Sequence, residues 1–383
     1  MRAIGLMSGT SLDGIDAALV NLVPGGASYR VNLQRFGTYP FEPNLRDELL
    51  AILPPNEGSV AAVARLHRAL GDAYARAARR IAGSDAIDYA ASHGQTIWHD
   101  GPAHVTLQIG DPFAIREAVN ATVCYDFRSA DCAAGGHGAP LVARVDALLL
   151  SSSEEDRVAL NLGGIANVTL LRKDGAPEEA VAFDTGPANM LLDAFVRART
   201  NGAQQFDRDG ALAAAGRVDE ALLSAMLADE YFAAPPPKTS GRERFGAQFL
   251  GRHQGALAKL SIEDGAATLT ELSAATVATA IERQGFAGVR AIVGGGGANN
   301  PTLLARLAAR LKGASVERSD AMGIPADAKE AIAFAVLGYE TLRGRAANMP
   351  RATGARRPVV LGAIAPWRLT ELLARMEAEC GTS

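Results

Sequence analysis

No lysine follows a glycine anywhere in these 383 residues, so the phosphate-gripping lysine of a P-loop has no candidate. The run Gly294–Gly297 continues as Ala298, Asn299 and Asn300, and no register of it gives the G-x-G-x-x-G of a dinucleotide fold. Gly9, Ser11 and Asp13 would form a nucleophile elbow only if Asp13 were glycine. Cys124, Cys132 and Cys380 are an odd, irregularly spaced set, which suggests neither a disulfide framework nor a zinc site and fits a reducing cytoplasm. No apolar run approaches the roughly 18 residues of a membrane helix. The start, Met-Arg and then a short strand-like run, lacks the apolar core and cleavage site of a signal peptide. A net charge of −4 argues against a nucleic-acid partner that needs a basic face.

What is present is globular: 48% hydrophobic and 21% charged residues. The length suits about two domains of roughly 150–200 residues. "GLMSGTSLDGIDAALVNL" from Gly5 reads as strand, polar glycine turn, strand, with Ile15, Ala17, Leu19 and, less cleanly, Leu22 on one half-buried face. "RVALNLGGIANVTLL" from Arg157 repeats the device about 150 residues later, which points to a duplicated α/β unit whose two turns share a cleft. Between them the reading gives a helix over Glu57–Ala82, strands in "DYAASHGQTIWH" and "HVTLQIGDP", a helix in "PFAIREAVN" and a strand in "TVCYDF". "AAGGHGAPL" (Ala133–Leu141) reads as a joint. The first domain is therefore set at 1–135 and the second at 136–383, the terminal helix being free to return to the first. Later, Pro187 suits a first helical turn after "AFDTG". Thr268 and Glu271 have capping-box spacing, and Asn300 with Pro301 reads as N-cap and N1.

Glycine turns at strand ends expose backbone N–H groups that bind anions without a P-loop lysine. Gly9, Thr10, Ser11 and Gly14 can wrap phosphates, as can Gly163 and Gly164. Gly294, Gly295, Gly296 and Gly297 let a flat base or ribose lie against backbone. Three such turns in two repeated units point to a nucleotide.

"GLMSGTSLDGID", "SHGQT", "DFRSADCAAGGHGAPLV", "NLGGIANVT", "FDTGPANMLLD" and "GGGGANNPTLL" resemble, in order and across most of the chain, the anhydro-N-acetylmuramic acid kinase family. The resemblance implies an α/β fold of two RNase-H-like (actin/hexokinase-type) domains around an ATP cleft. It also implies ATP and Mg²⁺ as cofactors, a small sugar substrate, a homodimer, and no membrane partner. The implied reaction converts 1,6-anhydro-N-acetylmuramic acid, ATP and water to N-acetylmuramic acid 6-phosphate and ADP, in cytoplasmic peptidoglycan recycling. "APLVARVD" and Asn299 depart from the family pattern but touch no candidate catalytic group. The alternatives are a kinase of the same fold for another sugar or a carboxylate, and a chaperone-like or filament-forming ATPase, for which the chain offers no extra peptide-binding domain.

On this reading Asp184 is the base that activates water; the competing reading is a carboxylate that stabilises the following helix N-terminus. The hairpin tip, with Leu12, Asp13, Ile15 and Asp16 added to its glycines and hydroxyls, holds the nucleotide. Asp13 and Asp16 are candidates to reach Mg²⁺ through water, Asp16 alternatively facing solvent. Ser92, His93, Gln95 and Thr96 are set against sugar hydroxyls, His93 alternatively capping its own turn. Arg128 is set against the lactyl carboxylate, or is structural. Glu330 orders sugar or water, or caps a helix with Asp327. The basic proline loop with Lys238, Thr239 and Arg242 either closes on ligand or is plain surface.

Overall fold

A computed structural model describes residues 1–9, 12, 14–25, 28–53 and 56–380. Thr10, Ser11 and Asp13 lie outside the described residues. The chain forms two compact units, Met1–Leu149 with Ala328–Ser383, and Leu150–Asp327. In chain order the first unit begins with strands β1 Arg2–Met7, β2 Gly14–Gly25, β3 Ser28–Pro40, β4 Tyr89–Ser92, β5 Gln95–Asp100, β6 Val105–Ile109 and β7 Thr122–Tyr125. The second holds β8 Arg157–Leu162, β9 Ile165–Leu171, β10 Val181–Pro187, β11 Arg290–Gly294 and β12 Ser315–Arg318. The chain then returns to the first unit with β13 Ala363–Ala365.

The first unit's main sheet has the order β13-β7-β4-β1-β2-β3, and the second's has β10-β9-β8-β11-β12. In both, three strands form an antiparallel meander and the next two run parallel to the first of them. That repeated order is the RNase-H-like α/β topology, and the two glycine hairpins, β1–β2 and β8–β9, occupy the same place in each copy.

Helix Val60–Ala82 covers one face of the first sheet. Ser59 caps it by accepting from the Ala62 N–H at 3.2 Å, a contact typically worth about 1 kcal/mol. Leu66, Leu70, Tyr74, Ala77, Ala78 and Ile81 are buried at helical spacing, while Arg76, Arg79 and Arg80 are exposed.

The opposite face corrects two expectations. Ala18, Val20 and Leu22 are as fully buried as Ile15, Ala17 and Leu19, so β2 is covered on both faces rather than half-buried. The cover is helix Lys329–Leu342, apolar around most of its circumference. Its backbone lies so close to β1 that a Cβ at Gly5 would sit 1.8 Å from the Ala331 carbonyl oxygen. Tyr89 of β4 donates its hydroxyl to the Ala335 carbonyl at 2.7 Å. The domain boundary expected at 135/136 is corrected: 136–149 and 328–368 belong to the first unit, and terminal helix Leu369–Cys380 returns to it as allowed.

The stretch read as a joint is pinned within that unit. Buried Asp131 accepts from Gly138 N–H at 2.8 Å, Asn348 Nδ2 at 2.7 Å and Thr353 Oγ1 at 2.8 Å, and His137 N–H donates to the Thr353 carbonyl at 2.7 Å.

Two helix starts also differ from the sequence reading. Pro187 ends β10, and the helix begins at Asn189. Ser261 caps helix Ile262–Arg283, which leaves Thr268 buried within it and Glu271 bound to Arg306 and Arg310. Asn300 caps Pro301–Arg310 as expected. No helix among the described residues is long and apolar enough to cross a membrane.

Candidate functional site

The first unit gathers a polar group where β1 and β4, which run parallel, both end. Tyr74 and Ser8 share a hydrogen bond, Ser8 Oγ donates to Gln95 Oε1 at 2.7 Å, and Gln95 Nε2 donates to the Gly9 carbonyl at 3.3 Å. Gln95 is fully buried. Both ends of its amide brace the turn after β1, which differs from the expected role toward a sugar. Burial drives the Tyr74 phenol far above its ordinary range, so it stays a neutral donor.

Leu12 and Ile15 are buried in the core, so only their backbone is available to a ligand. Gly14 has a packing reason to be glycine, since a Cβ would lie 2.5 Å from the Tyr39 carbonyl oxygen of β3. Asp16, half-buried on β2, accepts from Thr38 Oγ1 at 2.6 Å; it is therefore not merely solvent-facing.

Ser92, His93, Arg128 and Glu330 form the second part of this group. Ser92 Oγ is buried with no hydrogen-bond partner among the described residues. His93 donates or accepts at both nitrogens within the protein: Nδ1 lies 2.8 Å from the Gly94 carbonyl and Nε2 2.9 Å from Arg128 Nε. Burial, with the Arg128 charge, holds this imidazole well below its usual pKa. Arg128 also donates from Nη1 to the Gly138 carbonyl at 2.6 Å.

Glu330, in the first turn of Lys329–Leu342, has a solvent-accessible side chain. The surrounding protein nevertheless desolvates its carboxyl and raises its pKa; Arg128 opposes this and Asp16 adds to it. The helix has no side-chain N-cap bond, so the Asp327–Glu330 capping reading does not hold. Thr96 Oγ1 accepts from Gln108 Nε2 at 3.2 Å and stays within its own hairpin.

The second unit builds around β10. Asp184 sits within the strand, paired with Asn167 of β9, which in turn pairs with Asn161 of β8. Directly opposed residues share a face, so an Asn–Asn–Asp row crosses three strands. Sequence reading missed both asparagines; the signal was their symmetric placement about the glycine turn in "NLGGIAN".

Helix Asn189–Arg199 has no acidic residue in its first turn. Asp184 therefore does not serve as its N-terminal carboxylate. Instead the proline loop clasps it. Ser240 N–H donates to Asp184 Oδ2 at 2.8 Å, Asp184 N–H donates to the Lys238 carbonyl at 3.1 Å, and Tyr231 hydroxyl donates to the Asp184 carbonyl at 2.9 Å. Lys238 Nζ donates to the Tyr231 carbonyl at 2.9 Å and lies 4.5 Å from that ring's centre. Burial, with the Arg283 charge, lowers the Lys238 amine's pKa, while Asp184 raises it. The loop is not plain surface, although Thr239 is exposed and the Arg242 side chain lies outside the description. Ser240 Oγ is buried and has no partner among the described residues.

The remaining glycines meet at the carboxyl ends of parallel β8 and β11, the usual ligand edge of an open α/β sheet. Gly163 and Gly164 turn β8 into β9, and their carbonyls accept from the Ala188, Asn189 and Met190 N–H groups. Gly294 ends β11, and Gly295 follows at φ +78°. A Cβ at Gly295 or Gly297 would meet Leu162, whereas one at Gly296 would meet nothing within 4 Å.

A model of the anhydro-N-acetylmuramic acid kinase family matches residues 1–367. The anhydro-N-acetylmuramic acid kinase of Streptomyces coelicolor is 45% identical over 375 residues, covering 96% of this chain and 94% of its own length. That of Xanthomonas axonopodis pv. citri is 48% identical over 371 residues, covering 95% and 97%. That of Caldanaerobacter subterraneus is 40% identical over 379 residues, covering 94% and 96%.

Proposed function

This chain belongs to the anhydro-N-acetylmuramic acid kinase family, and we propose that it opens the 1,6-anhydro ring of 1,6-anhydro-N-acetylmuramic acid with water while phosphorylating O6. Membership makes it an ATP-dependent kinase. The substrate, the ring opening and the setting, cytoplasmic recycling of peptidoglycan by a homodimer, are the proposal.

The observation that carries it is the clasp on Asp184, a carboxylate with its backbone and Oδ2 both fixed by the 238–240 loop. Asp184 takes a proton from water as the water oxygen bonds to the anomeric carbon. The bond from that carbon to O6 breaks, O6 keeps the electron pair and bonds to the γ-phosphorus, and ADP departs. Capture by phosphorus replaces the protonation that an inverting glycosidase obtains from a second carboxyl, so one base suffices.

Arg128 is assigned to the lactyl carboxylate. The unpartnered Ser92 hydroxyl and solvent-accessible Glu330 suit the sugar or water. Mg²⁺ suits Asp16, through water. A Mg²⁺ ion at a kinase site is held by one or two carboxylates and the phosphates themselves. Bound there, it would neutralise charge on the phosphates.

The test is ADP release from Mg-ATP with and without 1,6-anhydro-N-acetylmuramic acid, with mass analysis of the sugar. Sugar-dependent ADP and a product heavier by one water and one phosphoryl group are expected. Protein that binds ATP yet shows no sugar-dependent turnover would remove this substrate.

The glycine run makes a separate prediction. Gly296→Val adds atoms where the protein offers no contact, so the thermal midpoint should stay within about 2 °C, the shift of less than 1 kcal/mol. If the nucleotide lies against that backbone, ATP affinity falls by about tenfold or more, the equivalent of 1.4 kcal/mol. Unchanged ATP affinity in calorimetry would take the run out of the nucleotide site.

A further inference from the structure

Among the first unit's sugar-site candidates, His93 is buried at 3% exposure with both ring nitrogens engaged. The Gly94 carbonyl only accepts, so Nδ1 carries the proton. Arg128 Nε only donates, so Nε2 must present its lone pair. One tautomer satisfies both bonds, and a doubly protonated ring would set N–H against N–H. The ring is held from the side by Phe334, 4.7 Å away between centres, which packs on Phe127 at 5.4 Å.

Arg128 is thereby anchored at two of its three nitrogens, Nε on His93 and Nη1 on the Gly138 carbonyl. Its Nη2 group has no hydrogen-bond partner among the described residues. A planar guanidinium held at two nitrogens presents the third, Nη2, in a fixed direction and is so preorganised for a carboxylate oxygen.

We propose that His93 is a positioning residue: its Nε2 lone pair aims Arg128 at the carboxylate of an acidic anhydro sugar and so sets the preference for acidic over neutral sugars. This rests on the assignment of Arg128 to the lactyl carboxylate. It replaces direct contact between His93 and sugar hydroxyls, for which neither ring nitrogen is available.

The experiment compares wild type, His93→Met and His93→Gln as full-length proteins. Calorimetry gives dissociation constants for 1,6-anhydro-N-acetylmuramic acid and for neutral 1,6-anhydro-N-acetylglucosamine, and steady-state kinetics with the acidic sugar give kcat and KM. Loss of a charge-assisted contact predicts about tenfold weaker binding of the acidic sugar by His93→Met, with kcat changed less than about threefold. Binding of the neutral sugar should be unchanged. Glutamine, whose Oε1 can accept from Arg128, should restore most of the loss. Nitrogen-15 spectra of wild type should show Nδ1 protonated and Nε2 bare.

Equal weakening toward both sugars, no weakening toward either, or a protonated Nε2 would each overturn the proposal. If wild type binds and turns over neither sugar, the reaction assigned above fails as well. A bare Nε2 with turnover of the acidic sugar but no discrimination in the variants overturns the positioning role alone.

Discussion

Asp184→Asn is expected to lower kcat for 1,6-anhydro-N-acetylmuramic acid by about 10³-fold, within the 10²–10⁴ that a positioned general base contributes. Asparagine is nearly isosteric, and its amide oxygen can still accept from the Ser240 N–H that now meets Oδ2 at 2.8 Å. The clasp by Tyr231 and Lys238 uses backbone atoms of residue 184, so the local structure survives the change. What is lost is the capacity to take a proton from water. Both KM values should therefore stay within about threefold, because binding is not what the carboxylate supplies. A sugar offering a free primary hydroxyl, which needs no attack by water on the ring, should retain part of its phosphorylation. Stopped-flow and steady-state ADP release on both acceptors decide the matter. A loss below tenfold on the anhydro sugar would move the base elsewhere, and an equal loss on both acceptors would make Asp184 a phosphoryl-transfer residue instead.

Lys329→Met should destabilise the first unit by about 3–5 kcal/mol. Lys329 Nζ lies 2.8 Å from Asp146 Oδ1, with the two side chains 8% and 7% exposed. Removing the ammonium takes this buried cationic partner from Asp146, and the remaining contacts must bear the carboxylate's desolvation. For a unit of this size each kcal/mol shifts the melting temperature by roughly 2–4 °C, so a fall of about 10 °C is expected in its calorimetric transition. The double variant Lys329→Met/Asp146→Leu should regain most of that loss, since a buried pair and an apolar pair of similar volume differ little. A single-variant loss under 1 kcal/mol would mean that water reaches the pair. The bond matters beyond stability: it secures the first turn of the helix that carries Glu330 and whose backbone abuts β1.

The candidate residues could be picked from the sequence because glycine turns and their flanking strands are local. The hairpins at Gly9 and at Gly163–Gly164, the glycine run after β11 and the candidate base at Asp184 were all found from patterns of fewer than about 20 residues. The roles of Gln95 and His93 were not, because a side chain's partners are set by whatever packs beside it. Gln95 spends its amide on Ser8 and Gly9, 87 and 86 residues earlier, and His93 spends its Nε2 on Arg128, 35 residues later. The capping box at Thr268 failed for a related reason. Its spacing is correct, but Ser261 starts the helix earlier, and burial then turns Glu271 toward two arginines.

The sequence by itself determined the strands of both glycine hairpins, where they turn, and that Asn300 and Pro301 begin a helix, since these depend on backbone preferences and contacts within one turn. Tertiary structure alone decided the unit boundary, the burial of both faces of β2 and the clasp on Asp184. Each of these needs two segments far apart in the chain to meet: Gly5 with Ala331, Asp131 with Asn348 and Thr353, Asp184 with Ser240. Sequence periodicity records that a face is apolar, but not which distant segment will cover it, and the glycine-rich stretch at 133–141 resembled a joint until its partners were in place.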